Sequence, residues 1–255
     1  MAAVYFISDV HLGLESPDEE AAKEARVIEH LRRFAADAER LYILGDLFDF
    51  WFEYRHAIPS DGLKVLATLR ELANDGVEVH YLAGNHDFAL GSYIRDTIGC
   101  IVHPGPTEAI SGGTRFFLHH GDGLAGNDLG YRVLKRVLRS PVSQALWRLV
   151  HPDLGFSLAR RLSHASRGYT AGKDYGTGAR MEKALRGFAA EGYDFLLMGH
   201  THVAEDRSIT DTTTYVNLGT WLGGGSPYAR FAEGVLEVLR PDGARKLLEA
   251  RSRAV

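Results

Sequence analysis

Aspartate, asparagine and histidine gather in five short words along this chain: Asp9-Val10-His11, Gly45-Asp46, Gly84-Asn85-His86-Asp87, His119-His120-Gly121-Asp122 and Gly199-His200-Thr201-His202. Carboxylate, amide oxygen and imidazole are donors that divalent transition metals accept. Asp9, His11, Asp46, Asn85, His120, His200 and His202 are too many for one tetrahedral zinc site. They suit two ions sharing a carboxylate, a pair ~3.5–4 Å apart that stabilises both the attacking and the leaving oxygen in phosphoryl transfer. Glycines inside the words permit sharp turns and close backbone approach to whatever is bound.

Residues nearly two hundred positions apart must therefore meet, and the intervening pattern says how. Strand-like segments are read at Val4–Ser8, Leu41–Leu44, Val77–Ala83, Arg115–His119, Phe195–Met198, Thr214–Leu218 and Gly234–Arg240. The first three are nearly continuous in apolar residues, as strands covered on both faces are. Helical spacing appears at Pro17–Ala38 and Gly62–Asn74, the latter stopped by Asn74-Asp75-Gly76. Alternating strands and helices predict a layered α/β fold, in which ligands collect at the carboxyl ends of strands. Leu124 to Arg186 breaks the alternation with helical patterns at Leu129–Val150, Phe156–Ser166 and Tyr175–Glu191, separated by Pro141, Pro152 and Gly155. This predicts a core over 1–123 and 187–255, with a helical lid inserted at 124–186.

Composition describes a soluble globular chain of 255 residues, 45% hydrophobic and 24% charged. The formal net charge is −4, yet Tyr131–Lys173 holds nine Arg and Lys against one acid, Asp153. A polyanionic ligand or a membrane surface would explain that segment; so would a solvated helix face. Cys100 is the only cysteine, which excludes an intrachain disulfide and fits a reducing compartment. The first residues read as a strand, not a signal peptide. The apolar runs fall short of the ~20 residues a spanning helix requires. A cytoplasmic protein is expected, with peripheral membrane contact open.

In their order and context, the five words resemble the calcineurin-like metallophosphoesterase superfamily. The resemblance implies a sandwich of two mixed β-sheets flanked by helices. It implies that Asp9, His11, Asp46 and His202 hold one metal and that Asp46, Asn85, His120 and His200 hold a second, with Asp46 bridging. His120 is expected as the ligand, with His119 turned to the opposite face. A hydroxide between the ions would attack phosphorus in line. His86 would serve as acid or charge stabiliser, with Asp87 orienting its ring.

A narrower resemblance lies outside these words. Ile43–Trp51, His120–Leu124, Asp128-Leu129-Gly130-Tyr131 and Asn217-Leu218-Gly219-Thr220-Trp221 are similar to the UDP-2,3-diacylglucosamine diphosphatases of lipid A synthesis, which also carry a helical insertion. This implies cleavage of a UDP-linked diacyl sugar to UMP and a lipid monophosphate at the inner leaflet of the cytoplasmic membrane, with two Mn²⁺ ions (Fe²⁺ or Zn²⁺ suit the same donors). Substrate contacts would come from Asn85, His86, Asp128, Tyr131, Ser166, Thr170, Lys173 and His200, with Arg161 or Arg167 adding a phosphate contact. Phe48, Phe50, Trp51, Phe52 and Tyr54 offer an aromatic wall, and the lid's Val133, Leu134, Val137, Leu138, Leu146, Trp147, Leu149 and Val150 an apolar face for acyl chains; both sets are equally consistent with plain core. The chain departs from the best-known branch at His86, where that branch has arginine, and at Ala204, where many relatives have proline. Another nucleotide phosphodiesterase or a dinucleoside polyphosphatase fits the same words, and a nuclease fits the basic segment. The negative overall charge argues against nucleic acid, and no obligate protein partner is evident.

Overall fold

The computed structural model describes residues 2–124, 136–159, 161 and 179–250. Strand β1 (Ala3–Ile7) is buried along its whole length, and its side chains alternate between two cores. Ala3, Tyr5 and Ile7 pack with Val27 and Leu31 of helix α1 (Pro17–Phe34) and Leu66 and Leu69 of helix α2 (Leu63–Asn74). Val4 and Phe6 point the other way, against Phe116, Leu118, Phe195 and Leu197. Successive side chains of a strand face opposite sides, so a strand covered on both must be apolar throughout. Pro17 opens α1 at a position that tolerates its missing N–H, and the Glu19 carboxylate accepts the Ser16 amide at 3.2 Å. Gly76, at φ 94°, closes α2.

Two mixed sheets result. β1, β2 (Ala38–Ile43), β3 (Glu78–Leu82) and β4 (Ile101–His103) run parallel. A π-helical turn at Tyr93–Ile98 leads into β4. β10 (Tyr228–Ala232), β11 (Val235–Leu239) and β12 (Arg245–Glu249) add antiparallel strands to give the order β12-β11-β10-β1-β2-β3-β4. In the second sheet β6 (Thr114–Leu118), β7 (Phe195–Met198) and β9 (Thr214–Asn217) are parallel. β5 (Thr107–Ser111) and β8 (Glu205–Ser208) close its two edges antiparallel.

The segment after residue 124 differs from expectation in three ways. The helix expected over Leu129–Val150 is interrupted at Ser140, which is extended (φ −69°, ψ 142°) and caps helix α3 (Pro141–Trp147) by accepting the Ser143 amide at 3.1 Å. A residue before proline is pushed out of the helical region. Pro152 opens helix α4 (152–159), and Gly155 lies within it instead of breaking it. A Cβ on Gly155 would sit 2.1 Å from the Tyr54 hydroxyl, so the glycine lets the helix settle on that ring. Helix α5 (Ala179–Ala190) buries Met181, Leu185 and Ala189 against Phe117, Tyr193 and Tyr215. It covers the outer face of the second sheet, so the core resumes by Ala179, before the expected boundary at 187.

The expected aromatic wall divides in two. Phe48 and Trp51 belong to the core beneath the first sheet. Phe50 lies 6.3 Å from the Trp147 ring and 6.2 Å from that of Phe156, and Tyr54 lies 5.6 Å from Phe156. These rings seat α3 and α4 on the core. Val137, Leu138, Leu146 and Leu149 of the expected apolar face are exposed, whereas Val133 and Leu134 lie outside the described residues.

Candidate metal centre

Each of the five words follows the carboxyl end of a parallel strand: β1, β2 and β3 in the first sheet, β6 and β7 in the second. The sandwich thus brings five loops to one edge. The backbone there is strained. Asp9, His11, Asp46, His200 and His202 have φ between 51° and 73°, a region that costs non-glycine residues of order 1–3 kcal/mol each and that persists where surrounding structure imposes it. Tight packing imposes it here. A Cβ on Gly84 would lie 2.1 Å from Asp46 Oδ1, and one on Gly45 would lie 2.7 Å from both Gly84 Cα and His120 Nδ1.

The side chains converge on Asp46. Its Oδ1 accepts the His86 amide at 2.9 Å. Its Oδ2 lies 3.7 Å from His11 Nε2 and 3.2 Å from His120 Nε2. On one side, His11 Nε2 is 3.0 Å from His202 Nε2 and 3.8 Å from Asp9 Oδ1, itself 3.4 Å from His202 Nε2. On the other, His120 Nε2 is 2.9 Å from Asn85 Oδ1, and the His120 and His200 rings are 5.1 Å apart. His120 Nδ1 donates to the Leu44 carbonyl at 2.8 Å, which turns the Nε2 lone pair toward Asn85 Oδ1, another acceptor. Two acceptors held this close require a proton or a cation between them. Among the described residues, three groups could hold a metal ion: Asp9, His11 and His202; Asp46, His120 and His200; and His11, Asp46 and His86.

Comparison with known proteins agrees with this geometry. The calcineurin-like phosphoesterase family model matches residues 2–204. The chain belongs to that family. Among curated proteins, this phosphoesterase is 32% identical over 238 residues to a UDP-2,3-diacylglucosamine hydrolase of Porphyromonas gingivalis, covering 86% of this chain and 90% of that one. It is 36% identical over 211 residues to the UDP-2,3-diacylglucosamine hydrolase of Pseudomonas aeruginosa, covering 78% and 82%. Among solved structures, a doubly substituted Vps29 of Entamoeba histolytica shares the fold, with TM-score 0.50 at 15% identity over 97% of this chain and 98% of that one.

The charge balance of the phosphoesterase site calls for cations. Asp9 Oδ2 accepts from Ser8 Oγ at 2.6 Å and from the His200 amide at 2.9 Å, but buried Asp9 Oδ1 has no hydrogen-bond donor. An orphaned carboxylate oxygen among imidazoles fits a metal ligand. Burial opposes charge on His11, yet the Asp49, Asp9 and Asp46 carboxylates outweigh it and push its pKa up to about 9. Burial opposes it on His120 as well, and Asp46 raises that group to about 10. Burial and repulsion from His120 bring His200 down to about 4. Against the penalty of burial, neighbouring histidines hold Asp9 and Asp46 well below the usual carboxylate range.

One expected role is corrected. Asp87 does not orient the His86 ring. Its Oδ1 accepts the amides of Asp46 and Gly84 at 3.1 and 2.9 Å, and its Oδ2 accepts the Leu47 amide at 2.8 Å and the Tyr81 hydroxyl at 2.5 Å. Asp87 therefore ties the second word to the third, and burial with the Asp46 charge pushes it up to about 6. The residue at the His86 ring is Asp49, whose carbonyl accepts from His86 Nδ1 at 3.0 Å and whose Oδ1 lies 3.4 Å from His11 Nδ1. Its signal was the third position after Asp46 in Gly45-Asp46-Leu47-Phe48-Asp49. Asn217 and Thr220 also support the site: Asn217 Nδ2 donates to the Gly199 carbonyl at 2.6 Å, and Thr220 Oγ1 donates to the Asp9 carbonyl at 2.9 Å. His119 faces away, accepting the Gly121 amide at 2.6 Å and stacking on Phe117. Asp128, Tyr131, Ser166, Thr170, Lys173 and Arg167 lie outside the described residues.

Gly84→Ala should leave the secondary structure intact by circular dichroism while lowering Mn²⁺ affinity by about tenfold or more, since the methyl displaces Asp46. Wild-type affinity in that variant would contradict the packing. In chelated protein, folded His11 and His120 hold protons more tightly than unfolded imidazoles of pKa ~6.5. Their contribution to stability is complete below about pH 6.5 and is lost as pH rises through about 9 to 10. Chelated protein should melt at steadily lower temperature from about pH 7 to about pH 10, and saturating Mn²⁺ should flatten the slope. A flat chelated profile would refute this charge balance.

Proposed function

We propose that this phosphoesterase cleaves the diphosphate of UDP-2,3-diacylglucosamine to UMP and 2,3-diacylglucosamine 1-phosphate. The observation that carries the reading is the pair of donor groups meeting at Asp46, in a chain at least 32% identical to hydrolases named for that substrate. We assign Asp9, His11, Asp46 and His202 to one ion, and Asp46, Asn85, His120 and His200 to the other. Mn²⁺ is the assigned metal; Fe²⁺ and Zn²⁺ suit the same donors. When bound, two such ions supply Lewis acidity to the phosphoryl oxygens and acidify a water to near neutrality.

The chain's own residues do the rest. Asp46 fixes the spacing by offering one oxygen to both sides. Asn85, His86 and His200 line the place where a phosphoryl group would lie. A ring nitrogen of His86 comes within 4.8 Å of the ligand atoms of His11 and Asp46. Breaking a diphosphate expels a phosphate oxygen that is already a weak base, so the leaving group needs charge relief more than a full proton. His86, with Nδ1 donating to the Asp49 carbonyl, gives it when the other ring nitrogen also carries a proton. Arg136, Arg139, Arg148 and Arg161, in and around α3 and α4, add positive potential for a diphosphate.

The same region supports work at the cytoplasmic face of a membrane. No described helix is long and apolar enough to cross one. Val142, Leu146, Leu149 and Leu154 are nevertheless all more than 60% exposed, with Arg148 among them and Arg139 just ahead of them. Apolar side chains with arginines suit the surface of an anionic leaflet.

Hydrolysis should be compared across UDP-2,3-diacylglucosamine, UDP-sugars, cyclic nucleotides and dinucleoside polyphosphates, with Mn²⁺, Zn²⁺ or Fe²⁺ restored after chelation. The acylated substrate should be preferred, and His86→Ala should lower its kcat by about a hundredfold or more with bound metal unchanged. Rapid turnover of another substrate without the acylated one would sink the assignment. Flotation with vesicles containing phosphatidylglycerol should carry the protein upward at low salt, and Leu146→Asp/Leu149→Asp should remain at the bottom. Equal flotation of both would remove the membrane surface from these helices.

A further inference from the structure

Lys23, two turns into α1, is completely buried. Its ammonium has three donors and three oxygens in reach: the His11 carbonyl at 2.8 Å, Glu20 Oε2 at 3.1 Å and Glu15 Oε2 at 3.2 Å. Each carboxylate has a second commitment. Glu15 Oε1 accepts the Gly223 amide at 3.0 Å, and Glu20 Oε2 accepts the Glu15 amide at 3.2 Å. The cluster joins α1, the first ligand word and the turn after Trp221.

A helix that needed only to pack would do as well with an apolar residue here and uncharged residues in place of Glu15 and Glu20, because desolvating a cluster of ions often outweighs its attraction. What an apolar residue cannot do is donate to the His11 carbonyl. That residue is held at φ 51°, and its own N–H donates to the Asp46 carbonyl at 3.0 Å. Lys23 pins the peptide on the far side of His11, so the Cα that carries the imidazole is fixed from both directions. Glu15 and Glu20 meanwhile offset the ammonium charge, which would otherwise repel a cation at His11.

We infer that Lys23 is a positioning residue of the metal centre, setting the His11 imidazole through its backbone carbonyl for the ion shared by Asp9, Asp46 and His202. This rests on the reading of those residues as metal ligands.

The test is equilibrium dialysis of whole protein against Mn²⁺ at graded free concentration, with bound metal counted per chain. Wild type should bind two ions. Lys23→Met should bind one of them about ten- to a hundredfold more weakly than wild type while the other ion binds as before; its melting temperature in chelator should fall, because Glu15 and Glu20 lose their cation. At saturating Mn²⁺ its KM should match wild type. Glu15→Gln, which keeps an acceptor for the Gly223 amide, should weaken the same ion by a smaller factor. Folded Lys23→Met with wild-type affinity for both ions would overturn the inference. Should Lys23→Met not fold, unchanged affinity in Glu15→Gln would overturn it. Wild type binding no Mn²⁺ would instead overturn the ligand assignment, and the two failures are distinct.

Discussion

Asp46 is a carboxylate almost without solvent, and it remains charged because of its surroundings. One oxygen rests on an amide of the third word, and the other faces imidazoles from the first and fourth. A buried anion needs compensating positive charge, and only the meeting of two sheets at one edge supplies it. Without the second sheet there is no His120. Without the first there is no His11. The layered architecture and the electrostatics of one side chain are therefore the same constraint at two scales.

That constraint is met by backbone more than by side chains. Asp87 gathers the amides of the second and third words, Asn217 and Thr220 brace the fifth and first, and Lys23 braces the first from the opposite direction. Each bond holds a peptide near a residue in left-handed conformation. Strain spread over five positions of the site is tolerable because many hydrogen bonds determine the same geometry.

How much of this could be read from the residues depends on where each signal resides. The five words were legible because ligand chemistry restricts residue type and glycine marks the turns. The buried strands were legible because covering both faces leaves no choice but apolar residues. β12 was not. Its Arg245-Lys246-Leu247-Leu248-Glu249 carries the charge typical of an edge strand, and pairing with β11 decides its conformation. Asp87 was assigned the wrong neighbour because adjacency along the chain says little about a side chain that turns inward. Lys23 was passed over because a lysine on a helix is usually solvated. The aromatic run Phe48–Tyr54 gave its hydrophobicity but not its division between core and the seat for α3 and α4, since that depends on rings contributed from residues 147 and 156.

The placement of β1 has a consequence for synthesis. It lies between β2 and β10, so β1 stays half-paired until residues 228–232 exist. Asp9 likewise waits for His202, and for the Thr220 hydroxyl on its carbonyl. Contacts of such long range close late. A ribosome-bound chain would therefore hold the residues of the first three words apart from those of the fifth until residues 199–202 and 228–232 had emerged.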